Sequence, residues 1–173
     1  MKKRKGLRIT AAVLLWLLTV SWGYFIYFMS AKDSVESGNV SGTVAEGVAG
    51  VFLPDYESLP ESEKNIIKNK LSLPIRKLAH FTEFAVFGGL LLLSSWFTPC
   101  KRFKRMHYLI FSTACGIVYA ALDEMHQGLV PGRAPRVTDV LIDTAGVICG
   151  VMFVALMIAV AERKISKNKK GGV

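Results

Sequence analysis

A chain of 173 residues accommodates one domain or a small helix bundle and excludes a large multidomain enzyme. Apolar residues make up 51%, yet 22 basic against 13 acidic side chains give a formal charge of +9, which fits either a nucleic-acid binder or a membrane protein with basic loops. The basic residues decide: Lys2 to Arg8, Lys101 to Arg105 and Arg163 to Lys170 flank long apolar runs and do not interleave with aromatics on one surface, so no nucleic-acid partner is expected. Cys100, Cys115 and Cys149 form no spaced framework and read as small hydrophobes.

The first apolar run, Ile9 to Met29, is long enough to span a bilayer, and Lys2, Lys3, Arg4, Lys5 and Arg8 precede it. Bulky Phe25 to Met29 stand where a cleaved signal would carry small residues, so the run reads as an uncleaved anchor. Residues 30–73 are mostly polar, with seven acids opposing four lysines. Within them Val40 to Leu53 reads as a short surface helix. A second helix is predicted to start near Ser58, with that serine as a cap and Ile66, Ile67 and Leu71 as an apolar stripe. Pro74 is predicted to end it.

Three further spans follow, about Leu78 to Phe97, Tyr108 to His126 and Thr138 to Ala161. A basic turn (Lys101, Arg102, Lys104, Arg105) separates the first two, and Gly128 to Arg136, with two prolines, separates the last two. The expected fold class is all-α, a polytopic membrane helix bundle of about four transmembrane helices. Its parts are an anchor (1–29), an extracytoplasmic segment (30–73), a three-helix membrane core (74–161) and a basic tail (162–173). Counting positive charges places both termini and the 99–107 turn in the cytoplasm, and 30–73 with 128–137 outside. Arg133 and Arg136 run against that rule, which hints at another requirement for them.

The unusual residues gather at the outer ends of the spans: Arg76, Lys77, His80 and Glu83; Asp123, Glu124, His126 and Gln127; then Arg133, Arg136, Asp139 and Asp143. From the cytoplasmic edge, Glu83, Asp123 and Asp143 each stand roughly 21 to 27 Å along helices that cross about 30 Å of hydrocarbon, so they share one level. Arg76, His80 and Glu83 fall within about 60° on one helix face. Tyr119, Asp123 and His126 share another, with Glu124 and Gln127 beside it. Arg136, Asp139, Asp143, Gly146 and Gly150 form a third stripe, with the acids above a small-xxx-small contact. Acids facing lipid are costly, so these faces should turn inward, as a ligand or reaction site or as a structural polar network.

The run Arg76-Lys77-Leu78-Ala79-His80-Phe81-Thr82-Glu83-Phe84 resembles the first signature of the VanZ-like family. Leu122-Asp123-Glu124-Met125-His126-Gln127 with Val130-Pro131-Gly132-Arg133 resembles the second. Asp139 through Asp143, Gly146 and Gly150 resembles the third. The resemblance covers about residues 70–160 and is weak over the anchor and 30–73. It implies a small bacterial membrane protein of the cell envelope; the family's named member is associated with reduced susceptibility to the antibiotic teicoplanin, a glycopeptide acting on wall precursors. By motif, the family's polar positions fall on Lys77, His80, Glu83, Asp123, Glu124, Gln127, Arg133 and Asp139. The family often has Asn where this chain has Asp143.

Three functions remain open. The first is a binding or modifying site for an envelope amphiphile, a lipid-linked cell-wall precursor or a glycopeptide, held through phosphate or carboxylate by Arg76, Lys77 and Arg133 among membrane lipids. The second is an enzyme acting on a lipid-linked phosphate, with His80, Glu83 and Asp123 as catalytic candidates. A metal variant of it would use His80, Glu83, Asp123 and His126, although there is no HExxH motif and no cofactor is expected. The third is a carrier or a structural partner of a membrane complex; transport is disfavoured because the spans are apolar below Glu83 and Asp143. The topology is testable with a membrane-impermeant maleimide. Ser62→Cys should label in intact cells, and Cys100 only after permeabilisation; the reverse pattern refutes the orientation.

Overall fold

Each long apolar run becomes a helix because helices satisfy their own backbone hydrogen bonds in lipid. The computed structural model describes residues 2–100 and 103–170 and has no strand among them. Its elements are α1 (Lys2–Ser30), α2 (Ser34–Phe52), a single 3-10 turn (Tyr56–Ser58), α3 (Glu61–Phe97), α4 (Arg105–Gln127) and α5 (Val137–Lys170). Helices α1, α3, α4 and α5 are long and apolar enough to cross a membrane. Lys101 and Arg102 of the predicted basic turn, and residues 171–173 of the predicted tail, lie outside the described residues.

Several boundaries differ from expectation. The helix predicted from Val40 begins at Ser34, because Asp33 caps it by accepting the N–H groups of Val35 and Glu36 (2.9 and 2.8 Å). Ser58 caps nothing; its hydroxyl donates to the Asp55 carbonyl, and α3 starts after Pro60. Pro74 does not end its helix: α3 runs through it without interruption for 37 residues. An internal proline costs about 3 kcal/mol, and α2 offsets that by docking Ser41, Gly42, Ala45 and Ala49 along α3, with a Lys68–Glu46 ion pair at 2.8 Å. Finally, α5 carries on beyond Ala161 to Lys170. At 1.5 Å per residue α3 is about 55 Å long, more than a hydrocarbon layer of about 30 Å requires, and its first part packs beside α2.

The helix α3 is the hub, touching each of the other helices. Ile26, Phe84, Phe87, Leu91, Leu92, Ala120, Val147 and Val151 form the core, while Leu14, Leu17, Ile110, Met152 and Phe153 face outward. Lipid is as apolar as leucine, so burial of hydrocarbon alone does not hold such helices together. Cross-helix polar contacts and close backbone approach do. Thr19 pairs with Ser94 (2.7 Å) and Ser95 with Ser112 (3.2 Å), and Tyr119 donates to the Gly23 carbonyl (2.7 Å). At the far end from α2, Arg8 donates to the Trp96 and Phe97 carbonyls that close α3 (2.9 and 3.2 Å).

The tightest approach is between α3 and α5, as the Gly146-xxx-Gly150 spacing predicts. A Cβ on Gly146 would overlap the Phe81 carbonyl, and one on Gly150 the Ala85 carbonyl. From the other side Gly88 lies against the Val147 backbone, and Gly116 of α4 against its side chain. Gly150→Leu should therefore lower the thermal midpoint in detergent by the equivalent of at least about 1–3 kcal/mol. Gly47→Ala, with open space around it, should not lower it; equal effects would refute the packing argument.

Candidate functional site

The turn after α4 positions one arginine. The Arg133 N–H donates to the Val130 carbonyl (3.2 Å), with Pro131 and Gly132 between and Gly132 at φ +74°. That is a type II turn, which needs glycine in its second central place. It sends Arg133 back over the α2 end of the bundle, where its guanidinium donates to Gln127 Oε1 at 2.7 Å. Burial and the nearby Arg76 pull the Arg133 pKa below its usual value without removing its charge at neutral pH.

Beneath Arg133 a polar relay runs inward. Gln127 donates to Asp123 Oδ2 (2.9 Å), which also accepts the Ser30 hydroxyl of α1 (2.8 Å). Lys77 meets Asp139 at 3.2 Å, and Glu124 Oε1 accepts the Arg136 backbone N–H. His80 Nδ1 stands 4.0 Å from Asp143 Oδ1.

These groups surround a cleft of about 190 Å³ lined by Arg76, Lys77, His80, Gln127, Arg133, Arg136, Asp139 and Asp143. Four cationic side chains thus face two acidic ones. Among the described residues Arg76, Arg133 and Arg136 make no salt bridge. A second cavity of about 140 Å³ adjoins it and shares Arg76, His80 and Arg133. Its walls include Met29 of α1, Val40 and Val44 of α2, and Ile75 and Ala79 of α3, with Glu83 and Lys32 on its edge. A charged chamber and a largely apolar one therefore meet at three side chains.

The VanZ/LLP1 family model matches residues 15–158. The chain belongs to that family. No curated protein and no solved structure matches it. The match begins well before residue 70 and takes in the second half of α1 and all of α2. In this VanZ/LLP1 protein α1 contributes the Ser30 hydrogen bond and Met29 to the site, and α2 contributes walls.

Among the predicted site residues, Arg76, Lys77, His80, Gln127, Arg133, Asp139 and Asp143 come together around the polar cleft. Asp123 lies beneath it, within 4.8 Å of His80 and Asp143 at the ligand atoms. Glu83 lines only the apolar cavity, and Glu124 is engaged by the start of α5. His126 does not join: its ring packs on Tyr27 at 4.4 Å between centroids. The inward face of α4 carries Ala120, Asp123, Glu124 and Gln127, with Tyr119 packed beside them on Phe84 and Phe87. The metal set proposed from sequence, His80, Glu83, Asp123 and His126, is consequently not assembled.

Sequence reasoning missed Ser30, Ser34 and the α2 face. Ser30 is 1% exposed at the end of an apolar run, and a serine there gives no sign that its partner lies 93 residues away. Ser34 lines the cleft beside Gly132. The relay makes Gln127 a critical connector. Gln127→Leu leaves Arg133 and Asp123 short of a partner and should cost about 1–3 kcal/mol in thermal unfolding. The exposed Leu129→Gln should cost little, and an indistinguishable pair would refute the relay.

Proposed function

We propose that this VanZ-like membrane protein binds an anionic amphiphile of the bacterial envelope at the α2 end of its bundle. The headgroup occupies the polar cleft and the apolar part the adjoining cavity. The observation that carries this reading is the pair of chambers sharing Arg76, His80 and Arg133. Unbridged arginines match carboxylate or phosphate in a bidentate fork, and Met29, Val40, Val44 and Ile75 suit hydrocarbon. In this proposal both termini are cytoplasmic and the α2 end faces outward, where lipid-linked wall precursors and lipid-tailed glycopeptides are found. Occupancy of the site then alters susceptibility to a glycopeptide such as teicoplanin.

A second reading, hydrolysis or transfer of a lipid-linked phosphate, is favoured by one observation. His80 stands beside Asp143 in the same cleft as the arginines, an arrangement able to move a proton next to developing negative charge. A third reading, a structural or regulatory partner of a membrane complex, has no specific observation behind it.

Binding of labelled wall precursor and labelled glycopeptide to the protein in nanodiscs separates these. Wild type should bind saturably, and Arg133→Ala or Arg76→Ala should weaken binding about tenfold or more, one charge-assisted contact being worth about 1.5–3 kcal/mol. Binding unchanged in both folded variants would refute the headgroup site. Release of inorganic phosphate or a shortened lipid during the assay would favour the enzyme.

A further inference from the structure

The floor of the cleft has a feature that the arginine contacts to a headgroup do not explain. His80 of α3, Asp123 of α4 and Asp143 of α5 each present a ligand atom, and these atoms lie within 4.8 Å of one another. They come from three helices, so only the packing of the bundle brings them together. Asp143 is 1% exposed, and neither carboxyl oxygen has a hydrogen-bond partner among the described residues. Asp123 Oδ1 and His80 Nδ1 are also buried and unpartnered. Asp123 is meanwhile held at its other oxygen by Ser30 and Gln127, which leaves Oδ1 as its unpartnered atom.

Buried polar atoms left unmatched are costly, and two adjacent carboxylates repel. Hydrogen bonds within the protein resolve neither problem here. A dication answers both, since it cancels two negative charges and engages one ligand atom from each of the three residues. We propose that His80, Asp123 and Asp143 bind a first-row divalent cation of the zinc or manganese class. One imidazole nitrogen with two carboxylate oxygens suits these ions; magnesium and calcium prefer shells of oxygen alone. Bond lengths of about 2.0–2.1 Å set tetrahedral ligand atoms about 3.3 Å apart, so closing the cluster takes side-chain shifts of about 1 Å. Ser30 and Gln127 are the outer partners that orient such ligands. Three protein donors leave a coordination position open. His80 and Asp143 line the same cleft as Arg76 and Arg133. The site is independent of the amphiphile reading, and it is tested with the metal alone.

The full chain in nanodiscs, stripped with a chelator, is titrated with Zn²⁺ and separately with Mn²⁺, following bound metal and thermal midpoint. One ion per chain should bind, with a midpoint that rises and saturates with metal. Asp143→Asn and His80→Ala should each weaken binding about tenfold or more, and Glu63→Gln, exposed on the outer part of α3, should not. Co²⁺ gives a readout that needs no variant: loading should produce visible absorption bands of a nitrogen- and oxygen-ligated ion distinct from aqueous Co²⁺. Absence of stoichiometric binding, or binding retained in a folded Asp143→Asn or His80→Ala chain, overturns the site. So does an aqueous Co²⁺ spectrum. A rise in stability of Asp143→Asn with no metal bound to wild type would make the cluster a proton-sharing pair and equally overturn it.

Discussion

The backbone contact between α3 and α5 is the constraint on which the site depends. Gly146 and Gly150 let α5 press against the Phe81 and Ala85 carbonyls, and Gly88 returns the contact from α3. A hydrophobic force cannot impose this closeness in lipid, where apolar surface is already satisfied. Because both helices start at the α2 end, the separation fixed by the glycines also fixes the distance between His80 and Asp143, one to two turns above. The polar floor follows from that geometry, and α4 adds Asp123 to a gap whose width is already set.

Around this floor the molecule arranges its charges in two layers. Deep residues, Asp123 and Asp143, are acidic and almost fully buried. Above them stand Arg76, Lys77, Arg133 and Arg136 on the cleft wall. Such a stack keeps opposite charges near one another without neutralising each in a one-to-one pair. Of these four, Lys77 alone is matched among the described residues, with Asp139. Long arginine side chains can remain extended because Gln127 and the type II turn hold Arg133 in place. The rigid relay limits the rearrangement needed when an anion arrives.

Much of the architecture was legible because bilayer thickness converts directly into helix length. The four spans, the glycine stripe and the level shared by Asp123 and Asp143 all follow from counting residues. Helix α2 was harder: its Gly, Ser and Val content is weakly helical, and its true length depends on the groove that α3 offers. Pro74 misled for the same reason, since local chemistry argues for a break and tertiary docking overrides it. His126 shows the limit of helical phase. A rotation of a fraction of a turn decides whether it or Gln127 faces inward, and Tyr27 on another helix settles that. The contact of Ser30 with Asp123 is set by the assembled bundle, so no local pattern announces it.

The partnership of Ser30 with Asp123 also bears on biosynthesis. The two residues are separated by 93 positions, so at roughly 5–20 residues per second the serine waits roughly 5–20 seconds for its acceptor to be made. Thr19 has a similar wait for Ser94. During that interval α1 gains its partners on α3, such as Ser94 for Thr19, before Asp123 of α4 exists. The floor beneath Arg133 therefore closes only when α4 and α5 arrive, and an immature bundle has spans without a site.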